Sequence, residues 1–174
     1  KMNNLKIGIR LGIGFAVTLL LMVIIAVISY TRLTTLGNEV QDMVHDKFPK
    51  VVVANELAGS INLIARQLRN AYIVPDAAEK KRALDTIDEQ RRVIDGLVQK
   101  LEASIRTDAG KEKLRAIMVG RTAYRAQQDV AIRLIQQGAS SEEFGALLTG
   151  NLRKEQTTYL NAIAALVRFQ TELM

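Results

Sequence analysis

From Leu11 to Thr31 the chain carries no charge, and no comparable apolar run occurs after it. A stretch of this length crosses the hydrocarbon core of a bilayer as one helix. A cleaved signal peptide has a shorter apolar region and a small-x-small cleavage site, whereas Val27-Ile28-Ser29-Tyr30 offers none. The pattern therefore predicts a retained transmembrane helix over residues 11–31. From residue 32 onward apolar residues recur at three-and-four spacing, the period of an amphipathic helix, and no alternating strand pattern occurs.

Three punctuation points divide this second part. Val74-Pro75-Asp76 stops one helix, and Asp76 with Glu79 has the spacing of a capping box for the next. Arg106 to Gly110 forms a second turn, with Thr107 or Asp108 as cap. Gly138 suits the position just past a helix end, and Ser140 with Glu143 repeats the capping-box spacing. Four helices result, at about 33–74, 77–106, 109–137 and 141–174. Their short connections require antiparallel neighbours. The fold class is thus all-α: one transmembrane helix followed by an up-down-up-down antiparallel four-helix bundle. Pro49 should interrupt the first bundle helix, because it lacks a backbone donor and clashes one turn back. Gly150 should disturb the last one more gently.

Seams at heptad-like spacing support the bundle. They are Ala54, Leu57, Ile61, Ile64, Leu68 and Ala71; Leu84, Ile87, Ile94, Val98, Leu101 and Ile105; Leu114, Ile117, Ala131 and Ile135; and Leu148, Leu152, Ala162, Leu166, Phe169 and Leu173. Polar residues interrupt them. Arg91 fills a slot on the second helix, Arg121, Tyr124 and Gln128 fill three on the third, and Glu155 and Tyr159 fill two on the fourth. At ~1.5 Å per residue Arg91, Arg121, Tyr124, Glu155 and Tyr159 lie roughly 21–27 Å from the distal turns, with Asn62 of the first helix at about 18 Å. Converging polar groups in an apolar bundle describe a small-ligand pocket, with Thr158 as further polar lining. Two guanidinium groups against one carboxylate suit an incoming carboxylate. The same residues fit two other arrangements: Arg91 or Arg121 paired with Glu155 in a sealed core, or a helix rotated so that they are solvated. Arg66, Arg69 and Asn70 form a second polar set nearer the tip. Beside them the stripe Asn55, Ala58, Asn62, Ala65, Arg69, Tyr72 could pack a twin helix in a homodimer.

Charge and composition bound the chemistry. Lys1, Lys6 and Arg10 precede the apolar run without an acid, so the positive-inside bias places residues 1–10 in the cytoplasm and residues 32–174 outside. The net charge of +6 is partly this flank, and no basic run with interleaved aromatics points to nucleic acid. The sequence has no cysteine and a single histidine, His45. It therefore presents no thiolate metal site, no Ser-His-Asp set and no phosphate loop, and neither catalytic residues nor a cofactor are expected. Met174 falls within a helical pattern, which predicts further chain beyond it.

The opening Asn4-Leu5-Lys6-Ile7-Gly8-Ile9-Arg10-Leu11-Gly12-Ile13-Gly14-Phe15, leading into a membrane span, resembles the start of bacterial methyl-accepting chemotaxis proteins. So does Ile61-Asn62-Leu63-Ile64-Ala65-Arg66-Gln67-Leu68-Arg69-Asn70-Ala71, and Gln156-Thr157-Thr158-Tyr159-Leu160 is similar to the fourth helix of that family's sensor bundle. The resemblance implies a homodimeric chemoreceptor in the bacterial inner membrane with a periplasmic ligand-binding bundle. It implies coupling to a histidine kinase through cytoplasmic parts that this sequence does not include. It also implies roles for Arg66 and Arg69 in binding a ligand carboxylate across the dimer, although their spacing is tighter than in the amino-acid receptors. Arg121-Thr122-Ala123-Tyr124 resembles an Arg-x-x-Tyr used by members that bind organic acids within one subunit. The same bundle on a histidine kinase or a cyclic-dinucleotide enzyme, or a tethered bundle without a ligand, are the alternatives.

Overall fold

The computed structural model describes residues 7–174, which are helical apart from short turns, with no strand among the described residues. Of the expected cytoplasmic segment, residues 1–6 lie outside the described residues. The helices are α1 (Ile7–Asp42), a π-turn (Met43–Lys47), α2 (Phe48–Ile73), α3 (Ala77–Ser104), α4 (Asp108–Gln137), α5 (Ser141–Thr149) and α6 (Asn151–Glu172). Two compact units divide at Met43 and Val44.

In the first unit, α1 contains the uncharged run and is long and apolar enough to cross a membrane. Its large apolar side chains from Leu11 to Ile28 are all exposed, Phe15 at 69 % and Ile24 at 45 %. Surface of this kind is stable only against an apolar medium.

The second unit is an all-α four-helix bundle, in which α5 and α6 together form the fourth helix. The interruption expected at Pro49 takes the form of the π-turn that precedes it. The turn widens the helix by one residue, and Pro49 then lies in the first turn of α2, where no helical N–H partner is needed. Lys50, with a side chain only 9 % exposed, donates from Nζ to both carboxylate oxygens of Asp46, at 2.7 and 2.6 Å. The lysine stem is buried while its charge is matched.

Caps end the helices where the turn residues require. Asp76 accepts from the Glu79 N–H at 2.8 Å, and Thr107 from the Gly110 N–H at 3.2 Å. Ser140 and Glu143 complete a reciprocal capping box. Gly138 takes φ 69°, and the Ala139 N–H reaches back to the Leu134 carbonyl at 3.0 Å, closing the C-terminus of α4.

The core adopts the expected seams on the first three helices. Leu57, Ile61, Ile64 and Leu68 of α2 are 0 % exposed, and Ile87, Leu101 and Ile117 meet them from α3 and α4. On α6 the buried line is Leu152, Tyr159, Ile163, Leu166 and Gln170 rather than Ala162, Phe169 and Leu173. At Gly150, between α5 and α6, an added Cβ would meet the Ala146 carbonyl oxygen at 2.7 Å. Leu152, Tyr159 and Leu166 keep their expected slots, and the line departs where steps of four, from Tyr159 to Ile163 and from Leu166 to Gln170, replace the expected steps of three. Packing within the bundle is uneven: α2 lies mainly on α3, α4 mainly on α6, and α2 also on α6, whereas α3 and α4 touch little.

Candidate functional site

The polar residues at mid-depth converge around a close approach of α4 to α6. Gly120 is buried, and a Cβ there would lie 2.9 Å from the Tyr159 Cα. Glycine lets the two backbones come together at this level. Tyr124 and Tyr159 pack with tilted rings 6.4 Å apart and are 0 % and 1 % exposed. Neither hydroxyl has a hydrogen-bond partner. Burial pushes both phenols well above their ordinary range. For Tyr124 the fields of Arg69 and Arg91 oppose that shift; for Tyr159 the field of Arg121 opposes it and Asp95 adds to it. Both therefore remain protonated donors at any physiological pH.

The arginines at this level already hold carboxylates. Arg91 donates from Nε to the Gln128 side-chain oxygen at 2.9 Å and from Nη2 to Asp129 at 2.6 Å, with Asp88 at 3.7 Å. Arg121 donates to Asp95, and Arg125 lies 3.7 Å from the same carboxylate. These pairs close the thinly packed seam between α3 and α4. The space behind them amounts to about 10 Å³, room for one water-sized sphere.

A groove of about 490 Å³ lies between α2 and the α5–α6 junction, lined by Ala65, Arg69, Leu148, Thr149, Leu152, Arg153 and Gln156. Arg69 Nε donates to the Ala65 carbonyl at 3.1 Å, which fixes its stem and leaves the rest of the guanidinium available. Among the described residues neither Arg69 nor Arg153 makes an ion pair, and no lining residue is acidic. Two other grooves of the bundle carry acids beside their bases. One holds Glu79 with Arg82; the other holds Asp88 and Asp129 with Arg91 and Arg133. The break at Gly150 places residues from both sides of it, Thr149 and Arg153, on the cationic groove. The upper side is held firmly: Phe144 of α5 is 1 % exposed and stacks on Tyr72 of α2 at 4.0 Å, and the Tyr72 hydroxyl donates to the Ala139 carbonyl at 3.3 Å.

A family model described as a four-helix-bundle sensory module for signal transduction matches residues 4–173. The chain belongs to this family. No curated protein matches it.

In this sensory module the residues singled out by sequence are divided between two places. Arg91, Arg121, Tyr124, Gln128 and Tyr159 come together at the level described, with Tyr124, Gln128 and Tyr159 buried. Asn62 and Thr158 do not join them. Asn62 is exposed and accepts from Gln156 Nε2 at 3.2 Å, while the exposed Thr158 hydroxyl donates to the Lys154 carbonyl at 3.0 Å. Glu155 is half-buried, and the partners of Arg91 and Arg121 are Asp129 and Asp95 instead. Arg66 is exposed beside the groove side of α2, and Arg69 lines the groove. Sequence reasoning missed Arg153 and Thr149. Their available signal was a glycine break with a cation one turn after it. Among the described residues no cluster of His, Asp or Glu could hold a metal.

Proposed function

We propose that this sensory module is the ligand-binding region of a transmembrane chemoreceptor of the methyl-accepting type, and that it takes a small organic carboxylate in the groove between α2 and the α5–α6 junction. One observation carries this reading: two guanidinium groups from different helices, Arg69 and Arg153, face a groove of about 490 Å³ with no carboxylate lining it. Unpaired arginines at a concave surface favour a planar anion that can take two N–H groups at once. Gln156 and Thr149 supply polar contacts, and Leu148 and Leu152 an apolar wall for the ligand's carbon skeleton.

The flanking charges favour a cytoplasmic N-terminus and a bundle in the periplasm. Of the small and polar α2 stripe, the exposed Asn55 and Asn62 with the half-buried Ala58 suit a second copy of the module, with Arg66 at its edge, while Ala65, Arg69 and Tyr72 are engaged within the subunit. A ligand that joins α2 to α6 biases the position of α6, whose C-terminal end returns to the end of the bundle where α2 begins. Shifts of roughly 1–2 Å are typical of such helices. The ligand moves the equilibrium only by its difference in affinity for the two positions.

The test is calorimetric titration of the whole chain in nanodiscs with mono- and dicarboxylates at low salt. Arg69→Ala and Arg153→Ala should each weaken binding by about 10- to 100-fold, the worth of a charge-assisted contact. Arg121→Ala should leave it unchanged, since that guanidinium is already held by Asp95. If no acid binds, the carboxylate assignment fails. If Arg121→Ala abolishes binding and Arg69→Ala does not, the ligand sits at the α3–α4 seam instead.

A further inference from the structure

The neutral polar groups of the groove between α2 and the α5–α6 junction are already half committed within the protein. The Thr149 hydroxyl donates its single hydrogen to the Gly145 carbonyl at 2.9 Å, so only its oxygen lone pairs remain for a ligand. Gln156 donates from Nε2 to the Asn62 side-chain oxygen at 3.2 Å. That bond turns the nitrogen end of the amide to α2 and leaves Oε1 without a protein donor among the described residues. The orientation suits the local field, because the negative end of the amide dipole is left to a groove that holds two guanidinium groups and no carboxylate. One further N–H of Gln156 stays available.

Gln156 follows Arg153 by three residues and so shares a face of α6 with it. An oxygen acceptor therefore stands beside a cation, and Thr149 brings a second acceptor from the end of α5. In the free groove water donates to both oxygens. A ligand built only of carboxylates and methylenes displaces that water and gives neither oxygen a hydrogen, which lowers its affinity. A hydroxyl on the carbon next to a carboxylate restores the missing donor while the carboxylate sits on the arginines. A protonated amine on the same carbon also donates, but it is repelled by Arg69 and Arg153 with no acid in the lining to offset them.

We propose, on the basis of the carboxylate reading of this groove, that its ligand is a hydroxylated carboxylate. Arg69 and Arg153 hold carboxylate oxygens, Gln156 Oε1 accepts from the ligand hydroxyl, and Thr149 Oγ1 is the second acceptor. Asn62 is a positioning residue, which fixes the Gln156 amide through Nε2 without touching the ligand.

The experiment is calorimetric titration of the whole chain in nanodiscs at low salt with three acids on one four-carbon skeleton. Succinate, malate and aspartate carry a hydrogen, a hydroxyl and an ammonium group at the same carbon. Malate, as its better-binding enantiomer, should bind about 3- to 10-fold more tightly than succinate, the worth of one hydrogen bond. Aspartate should bind more weakly than malate. Gln156→Met keeps the length and removes the acceptor; combined with Thr149→Val it should bring malate to the affinity of succinate, with succinate binding retained as the sign of an intact groove. Asn62→Ala should narrow the ratio of malate to succinate affinity without abolishing either. Equal affinity for succinate and malate in the parent chain, with both lost in Arg69→Ala, overturns the hydroxyl assignment and leaves the carboxylate groove standing. A malate preference that survives the double substitution also overturns it, since the hydroxyl is then read elsewhere, and so does tighter binding of aspartate than of malate. If none of the three acids binds, the carboxylate reading fails and the hydroxyl assignment fails with it.

Discussion

Replacing Tyr124 by phenylalanine should stabilise the bundle, the opposite of the usual effect of losing a buried hydroxyl. Where a buried tyrosine is hydrogen-bonded, its removal costs about 0.5–1.5 kcal/mol. Tyr124 is 0 % exposed and its hydroxyl has no partner, so the native state carries an unmet desolvation cost of about 1–3 kcal/mol that the unfolded chain does not. Deleting one oxygen forfeits only a few dispersion contacts of ~0.1–0.2 kcal/mol each. The balance is a gain of about 1–2 kcal/mol, or roughly 4–8 °C in melting temperature for a bundle of this size.

The same burial gives a second readout. The folded-state pKa lies above the unfolded value of 10.0, mainly through desolvation. Below pH 10 both states keep the proton and the group is neutral in its effect on pH dependence. Above it the unfolded chain releases the proton while the native state retains it, so stability falls by about 1.4 kcal/mol per pH unit for each such tyrosine. Denaturant titrations of the whole chain, monitored by circular dichroism at neutral pH and between pH 10 and 11.5, test both effects. Tyr124→Phe should raise the midpoint at neutral pH and remove one tyrosine's share of the alkaline slope. A variant less stable than the parent at neutral pH would falsify the reasoning, because it would mean that the hydroxyl has a partner in the native state.

Other substitutions test the packing and the ion pairs. Gly120→Ala places a methyl group 2.9 Å from the Tyr159 backbone and should cost about 1–3 kcal/mol, read as a lower denaturation midpoint. Ile61→Ala, at a site 0 % exposed among the bundle helices, should cost about 2–5 kcal/mol in the same assay. Ser140→Ala removes one half of the capping box of α5 and should cost about 1 kcal/mol, with hydrogen exchange rising first at the N-terminus of that helix. A double-mutant cycle on Arg121 and Asp95, whose side chains are 27 % and 38 % exposed, should give a coupling of no more than about 1 kcal/mol that shrinks with added salt.

The fold was legible because its signals are local and redundant. Proline, glycine and capping residues mark the turns at residues 74–76, 105–107 and 138–140, and the apolar spacing of Leu57, Ile61, Ile64 and Leu68 identifies a buried face. The fourth helix was less legible, since its buried line steps by four from Tyr159 to Ile163 and from Leu166 to Gln170, where steps of three to Ala162 and Phe169 also reach apolar residues. The polar residues show the limit most clearly. Sequence spacing places Arg91 and Arg121 in seam slots, and they do lie at one level with Tyr124, Gln128 and Tyr159. It does not reveal that Asp129 and Asp95 stand opposite them, because those carboxylates project from the neighbouring helix across a seam whose register depends on tertiary packing. An arginine in a seam slot is costly to bury alone, so the fold supplies an acid wherever the geometry brings one within reach, and a guanidinium there is already occupied. An arginine free to meet an external anion is one with no acid opposite, as Arg69 and Arg153 are on a groove whose lining holds no carboxylate. Neither the apolar period nor the count of charges distinguishes the two kinds. Only the cross-helix register does, which is why the groove between α2 and the α5–α6 junction becomes visible once the helices are packed.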